Sequence, residues 1–363
     1  MKNQKHSRRL SWIFLAIFLS LGILAACIQN KGSSSSAPLT EEISQGELSE
    51  EQIATLSSLK KVDDYPLYTM RYYGAYRQSF SSKDNPLYAT NPPKSDLKPF
   101  STPWACSLFT SLGSTDNMLY GRNFDWKFSP AVLLFTDPPD RYASVSMVDI
   151  DYLGFGGEKS KTITDLSIDE RRALLKSPLI PFDGMNEHGL VVGMAAVPPG
   201  YMRPDPKKTT IGSLRVIRKI LDHANNVDEA IAIFKNYNIN MEEVPIHYLI
   251  AAPSGDSALV EFYNGEMVVT RNDKPWHSAT NFLIASVSQS AIGKCNRYDK
   301  INQRLTEVGG HLTKQHAMDL LADVSVGNTQ WSIVYGMNSG DIEVSMGRNY
   351  RNLHRFHLNV GDN

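Results

Sequence analysis

The chain has 363 residues, 42% of them hydrophobic, which is enough for one large or two ordinary folded domains with a substantial core. Lys and Arg number 37 against 38 Asp and Glu, and no basic stripe is present that could neutralise a row of phosphates, so nucleic acid is excluded as a partner. Cysteine is scarce, three in all.

Lys2, Lys5, Arg8 and Arg9 precede an apolar run from Trp12 to Ala26 that ends Leu24-Ala25-Ala26-Cys27. A basic region, an apolar region and small residues before a cut describe an export signal over residues 1–26. A transmembrane anchor is the competing reading, but the run from Leu10 is short for a span and contains Ser11, Ser20 and Gly22. The Leu-Ala-Ala-Cys ending resembles the lipobox of bacterial lipoproteins. That resemblance implies an exported protein anchored by lipid on Cys27 to the outer face of the cell membrane, or to the periplasmic face of an envelope. Residues 27–45, polar and carrying Ser33 to Ser36, compose a flexible tether.

Glu47, Ser49, Glu50 and Glu51 ahead of Ile53, Leu56 and Leu59 predict a short helix within 46–61, and Tyr65 to Tyr73 reads as a strand. From Ser81 to Pro103 the chain is rich in Pro, Ser, Asn and Lys, which marks a loop and a boundary. Cys106–Leu112 and Met118–Asp125 form a hairpin around the turn residues Ser114 to Asn117. Gly189–Val197 reads as a buried strand, and Leu214, Ile217, Leu221 and Ala224 mark one face of a helix. Asn226-Val-Asp-Glu229 predicts a capping box opening a second helix through Tyr237.

Three strands follow at 247–252, 257–262 and 266–270, then a helix at 314–324 and a last hairpin from Trp331 to Met346. Strand runs around a helix pair predict an α+β fold, two antiparallel sheets between helix layers. The boundaries divide the chain into the signal, the tether, a segment 46–105 packed on the main domain, and that main domain over 106–363.

Cys106 heads the first strand of the hairpin. A turn centred between Thr115 and Asp116 returns Asp125 opposite Cys106. Arg122, three residues before Asp125, would then face the other way unless a bulge intervenes or Asp125 lies past the strand end. An arginine near a thiol favours the thiolate, and a carboxylate can orient a base. The base is open: His188, His247 and His277 are available, and so is the α-amino group that a cut before Cys106 would free, with a pKa of about 7.7 to 8.0. In an oxidising compartment Cys106 could instead pair with Cys295.

Cys106-Ser107 followed by Gly121-Arg122-Asn123-Phe124-Asp125-Trp126 resembles the choloylglycine hydrolases and penicillin V acylases, with the acyltransferases of penicillin biosynthesis and acid ceramidase-like amidases in the wider set. Asp183-Gly-Met-Asn-Glu-His-Gly-Leu190, Ala279-Thr-Asn-Phe282 and Asn296-Arg-Tyr-Asp299 extend the match in the same order over about residues 62 to 350. The resemblance implies an N-terminal nucleophile hydrolase with a four-layer αββα sandwich and cleavage between Ala105 and Cys106. It assigns Cys106 as nucleophile and, through its own amine, base. Arg122 and Asp125 become its positioning pair, Asn281 an oxyanion donor and Arg297 a further support.

Where bile-salt hydrolases place an asparagine after the Asn-Glu-x-Gly-Leu run, this chain has Ala196, whose backbone N–H is the oxyanion candidate and whose side chain cannot help. The implied reaction is hydrolysis of a linear amide through a thioester, with no cofactor and no metal. Its substrate is a small N-acyl amide such as penicillin V, a conjugated bile acid, an N-acyl homoserine lactone or an N-acyl ethanolamine. The two cleaved fragments would stay in one complex, open to homo-oligomer assembly. A solute- or partner-binding lipoprotein with a structural Cys106 and a His-assisted cysteine peptidase are the alternative readings.

Overall fold

The structure is a computed structural model describing residues 46–76, 105–197, 200–241, 244–288 and 290–360. The export signal, the tether with Cys27, and the loop from Ser81 to Pro103 lie outside the described residues.

Helix α1 spans Glu50–Ser57 and is shorter than the predicted window because strand β1 (Lys60–Asp63) claims the end of it. Its start is set by a capping box in which Ser49 accepts the Gln52 N–H and the Gln52 side chain accepts the Ser49 N–H. Strand β2 is Leu67–Tyr72, and the Cys106 hairpin is β3 (Ser107–Ser111) with β4 (Leu119–Asp125). Strands β5 (Ala131–Thr136) and β6 (Ser144–Asp149) come next. A run of short 3₁₀ turns from Ile150 to Leu179 leads to β7 (Asp183–Asn186) and β8 (Val191–Ala196).

Then follow β9 (Thr209–Gly212), α2 (Ser213–His223), α3 (Val227–Asn236) and β10 (Tyr237–Asn240). The predicted meander is β11 (Ile246–Ala251), β12 (Ser257–Tyr263) and β13 (Glu266–Arg271). Last come β14 (Trp276–Ala279), α4 (Asn296–Glu307), α5 (Lys314–Asp323), β15 (Thr329–Gly336), β16 (Asp341–Met346) and β17 (His354–His357).

One nine-stranded sheet has the order β1-β2-β5-β6-β7-β8-β11-β12-β13, and a six-stranded sheet has the order β14-β3-β4-β15-β16-β17. Every pairing in these two is antiparallel, as expected, except that of β2 with β5. Strands β9 and β10 form a small parallel pair of their own. Helices α2 and α3 pack on β7, β8, β11 and β12, whereas α4 and α5 pack on β3, β14, β4 and β15. The bare faces of the two sheets meet through β3 against β8 and β11. Mixed α+β architecture with stacked sheets is therefore the observed fold, arranged αββα.

Period-two alternation explains what lies between the sheets. Cys106, Leu108, Tyr120 and Phe124 join the inter-sheet core, while Phe109 and Leu119 join the smaller core under α4 and α5. Burying each such side chain contributes about 1.5 to 3 kcal/mol. Gly121 and Gly184 sit inside strands and serve close packing. A Cβ on Gly121 would lie 2.4 Å from the Phe109 ring, and one on Gly184 would lie 2.5 Å from the Val145 carbonyl oxygen. Gly189 does serve a turn: at φ +69° it closes the β7–β8 hairpin, its N–H bonding the Asn186 carbonyl at 2.8 Å.

The described part of the segment 46–105 is woven into this frame. Leu67 to Tyr72 pair in parallel with Ala131 to Thr136, the Tyr76 hydroxyl donates to Asp222 at 2.5 Å, and Asp63 meets His354 at 2.5 Å.

Candidate active site

The hairpin register differs from the expected one by a single residue. Ser107 pairs with Asn123 and Leu108 with Arg122, so one further step puts Cys106 opposite Phe124, not Asp125. The pairing ends at Ser111 and Leu119, so the connection is a seven-residue loop centred on Thr115 itself rather than between Thr115 and Asp116, and the Leu112 and Gly113 N–H groups at its start bond the Pro275 and Gly310 carbonyls instead of β4. Asp125 still reaches Cys106, because β15 has an irregularity between Thr329, which pairs with Asp125, and Trp331, which pairs with Phe124. The extra residue, Gln330, breaks the alternation at the last residue of β4. Of the two routes that the spacing allowed, the bulge is the one in use, since Asp125 is the last residue of β4 and does not lie past its end.

Cys106 and Cys295 are both free thiols, so the pairing considered from the sequence is absent. Cys106 is buried at the wall of an apolar pocket of about 70 Å³, whose lining includes Asp125, Phe124, Trp126, Tyr152, Phe182, Met194, Ala196, Leu214 and Met241. Burial pushes the Cys106 thiol up. The Arg122 charge opposes this, Asp125 adds to it, and the Asp125 backbone N–H donates to the sulfur.

Arg122 is wholly buried between the sheets. Its guanidinium donates to the Phe182 carbonyl at 2.7 Å and to the Asp183 carboxylate, and lies 5.0 Å from the centre of the Phe124 ring. Asp183 in turn accepts the Tyr335 hydroxyl at 2.5 Å. Asp183 opens the motif singled out in the sequence, yet its role was missed, since nothing in spacing shows that β7 faces β4.

Arg297 enters from the first turn of α4, a helix that the sequence reading did not foresee. It donates to the carbonyls of Ala105 (2.7 Å) and Cys106, to the Ser107 hydroxyl (2.9 Å) and to the Asn281 side-chain oxygen (2.9 Å). The Asn281 amide nitrogen donates to the Ala196 carbonyl at 2.9 Å. An amide nitrogen carries two N–H donors, of which Ala196 takes one. The seven residues singled out from sequence around the cut, Ala105, Cys106, Arg122, Asp125, Ala196, Asn281 and Arg297, are thus brought together by contact or by shared lining. The three histidines are not: none lines this pocket. His247 bonds Glu261 at 3.0 Å, His277 bonds Ser257 at 3.0 Å, and His188 packs on Tyr142.

Burial raises the Asp125 carboxyl to about 7 against the opposing Thr329 hydrogen bond of 2.5 Å and the Arg297 and Arg122 charges. A carboxyl raised in the folded state holds its proton there after the unfolded chain has lost it. Its contribution to stability is therefore present at low pH and lost as pH climbs from the ordinary carboxylate value through about 7. Asp149 behaves alike, while buried His277, lowered to about 4, works oppositely below its ordinary range. In a chain kept whole by Cys106→Ala, adding Asp125→Asn should remove one slope of about 1.4 kcal/mol per pH unit. Urea denaturation at pH 5 and pH 7.5 measures it, and a stability difference between the two chains that ignores pH would contradict it.

Residues 180–347 match the family described as AAT, acyl-coenzyme A:6-aminopenicillanic acid acyl-transferase. An uncharacterized protein of Paramecium bursaria Chlorella virus 1 is 35% identical over 100 residues, which are 25% of this chain and 36% of that relative's length. The chain thus spans about a third of the curated relative it matches. Among solved structures, the chain is similar to penicillin V acylase from Agrobacterium tumefaciens, with 14% identity, TM-score 0.49, and coverage of 70% of this chain and 86% of that one. It is also similar to a mutant conjugated bile acid hydrolase from Clostridium perfringens, with 18% identity, TM-score 0.49, and coverage of 70% and 92%. The segment that supplies Asp183, Ala196, Asn281 and Arg297 is the one that the match to the acyl-transferase family covers.

Proposed function

We propose that the protein is a cysteine amidohydrolase of the N-terminal nucleophile kind, which cuts itself before Cys106 and then hydrolyses linear amides of N-acyl small molecules. The observation that carries this is the grip of Arg297 on the Ala105 carbonyl, the group that self-cleavage must attack. A cation donating to that oxygen draws electron density from its carbon and steadies the oxyanion that forms.

In the first step the Cys106 sulfur adds to the Ala105 carbonyl carbon, and the C–N bond to Cys106 breaks as its nitrogen takes a proton. Water then hydrolyses the thioester, leaving a carboxylate on Ala105 and a free amine and thiol on Cys106. In turnover that amine accepts the thiol proton while sulfur attacks the substrate carbonyl. The oxyanion is met by Asn281 and a backbone N–H at Ala196, the amine leaves with the proton, and water releases the acid. The aromatic and aliphatic lining of the pocket supports an apolar, uncharged acyl group.

Export and lipidation at Cys27 belong to the same reading: the 27–105 fragment would carry the anchor, and the β2–β5 pairing supports its retention by the catalytic fragment. Intact-mass and N-terminal analysis of protein purified from membranes, with hydrolysis of a panel of the four N-acyl classes, tests this. The expected result is a fragment beginning at Cys106, a second bearing a diacylglycerol mass, and turnover of at least one class. A chain that hydrolyses amides without being cut would defeat the self-processing step, and an uncut chain inert on the whole panel would leave the binding-lipoprotein reading.

A further inference from the structure

We propose that Glu261 is the positioning residue for Asn281, an assignment that rests on the amidohydrolase reading. Glu261 lies on β12 and is fully buried, yet no part of the proposed chemistry uses it. Both of its oxygens are committed to one loop. Oε1 accepts the Ile284 N–H at 2.9 Å and Oε2 accepts the Ala285 N–H at 2.7 Å. These two residues open the 3₁₀ turn Ile284–Ser286, whose own capping residue, Leu283, offers no side-chain acceptor. Their N–H groups would otherwise be orphaned, and a carboxylate from another strand meets them.

The loop so held begins where β14 ends and carries Asn281 only three residues before the turn. It therefore runs from the six-stranded sheet to the nine-stranded one, and Glu261 is its tie on the far side. The tie is braced in turn. Glu261 Oε1 is also bonded by Nδ1 of the fully buried His247 on β11, and His247 pairs with Ala195 on β8. The next residue of β8 is Ala196, whose carbonyl accepts the Asn281 amide. The same strand pair thus fixes both ends of the device, the carboxylate that holds the loop and the carbonyl that aims its amide. His247 Nε2 is buried with no hydrogen-bond partner. An Nδ1–H tautomer fits this, because it gives Glu261 its donor and leaves Nε2 as a bare acceptor rather than a stranded N–H.

The test is a double-mutant cycle on the purified, self-processed enzyme, with kcat and KM on the best substrate of the panel and titration of the Cys106 thiol to count competent sites. Glu261→Gln keeps one acceptor and loses the other. It is expected to lower kcat about 10- to 100-fold by displacing the amide with KM within about twofold, whereas Asn281→Ala lowers kcat about 10²- to 10³-fold. The double variant should be no slower than Asn281→Ala alone, because Glu261 then has nothing left to aim.

Multiplying losses in the double variant, or a Glu261→Gln enzyme with unchanged kcat, would overturn the assignment. If Glu261→Gln does not fold, His247→Phe, which removes only the outer brace, carries the same cycle with the same expected non-additivity. A wild-type protein inert on the whole panel would instead sink the amidohydrolase reading, so the two failures are told apart.

Discussion

Replacing Cys106 with alanine should leave the chain uncut at residue 105 and lower amide hydrolysis by at least about 10⁴-fold, the scale lost when a covalent nucleophile is removed. Both losses are expected because, in the proposed mechanism, the same sulfur serves both steps. In the uncut chain the base for turnover does not exist, since the nitrogen of Cys106 is an amide. Burial raises the thiol, and Arg122 is the largest opposing influence, so the first cut should be slow and should quicken as pH rises. Cleavage then converts a neutral amide into an amine at the sulfur's own residue. Mass spectrometry over hours at pH 6 and pH 8, beside the alanine chain, reads the first loss, and substrate turnover reads the second. An alanine chain that is still cut at this bond would show that some other group or protease does the work.

Much of the frame was legible before any coordinates. The acidic start of α1, the apolar face of α2, the meander β11 to β13 and the last hairpin are local features, written in charged residues, turn residues and apolar periods. Asn226 does cap α3 by accepting the Glu229 N–H, but the Glu229 side chain reaches the N–H of Asn225 rather than that of Asn226, so the predicted box closes one residue early. The site was legible for a different reason. Its residues form an ordered set of motifs, and resemblance joined Cys106 to Asn281 and Arg297 across a distance that no local pattern spans. What stayed hidden is long-range. The bulge at Gln330 depends on how β15 meets β4, helix α4 shows little apolar patterning beyond Ile301 and Leu305, and the partners of Arg122 and of Asn281's loop come from the opposite sheet.

Asp183 is the clearest case of that hidden class, and its removal should be the most damaging single change outside the nucleophile. Arg122 and Asp183 are both wholly inaccessible and pair across the space between the two sheets. Their attraction offsets a desolvation cost of several kcal/mol for each ion, and that balance fails if one partner goes. Asp183→Ala would leave the guanidinium with the Phe182 carbonyl and an aromatic face, and would strip the Tyr335 hydroxyl of its acceptor. A loss of about 3 to 5 kcal/mol in stability is expected, read by urea denaturation of the uncut Cys106→Ala chain. Arg122→Met with Asp183→Leu, which removes both charges and keeps the apolar volume, should recover much of that stability. It should not recover function, because the thiol then has no buried cation to lower it. A double variant that folds and still cleaves itself at the wild-type rate would show that Arg122 serves the fold alone.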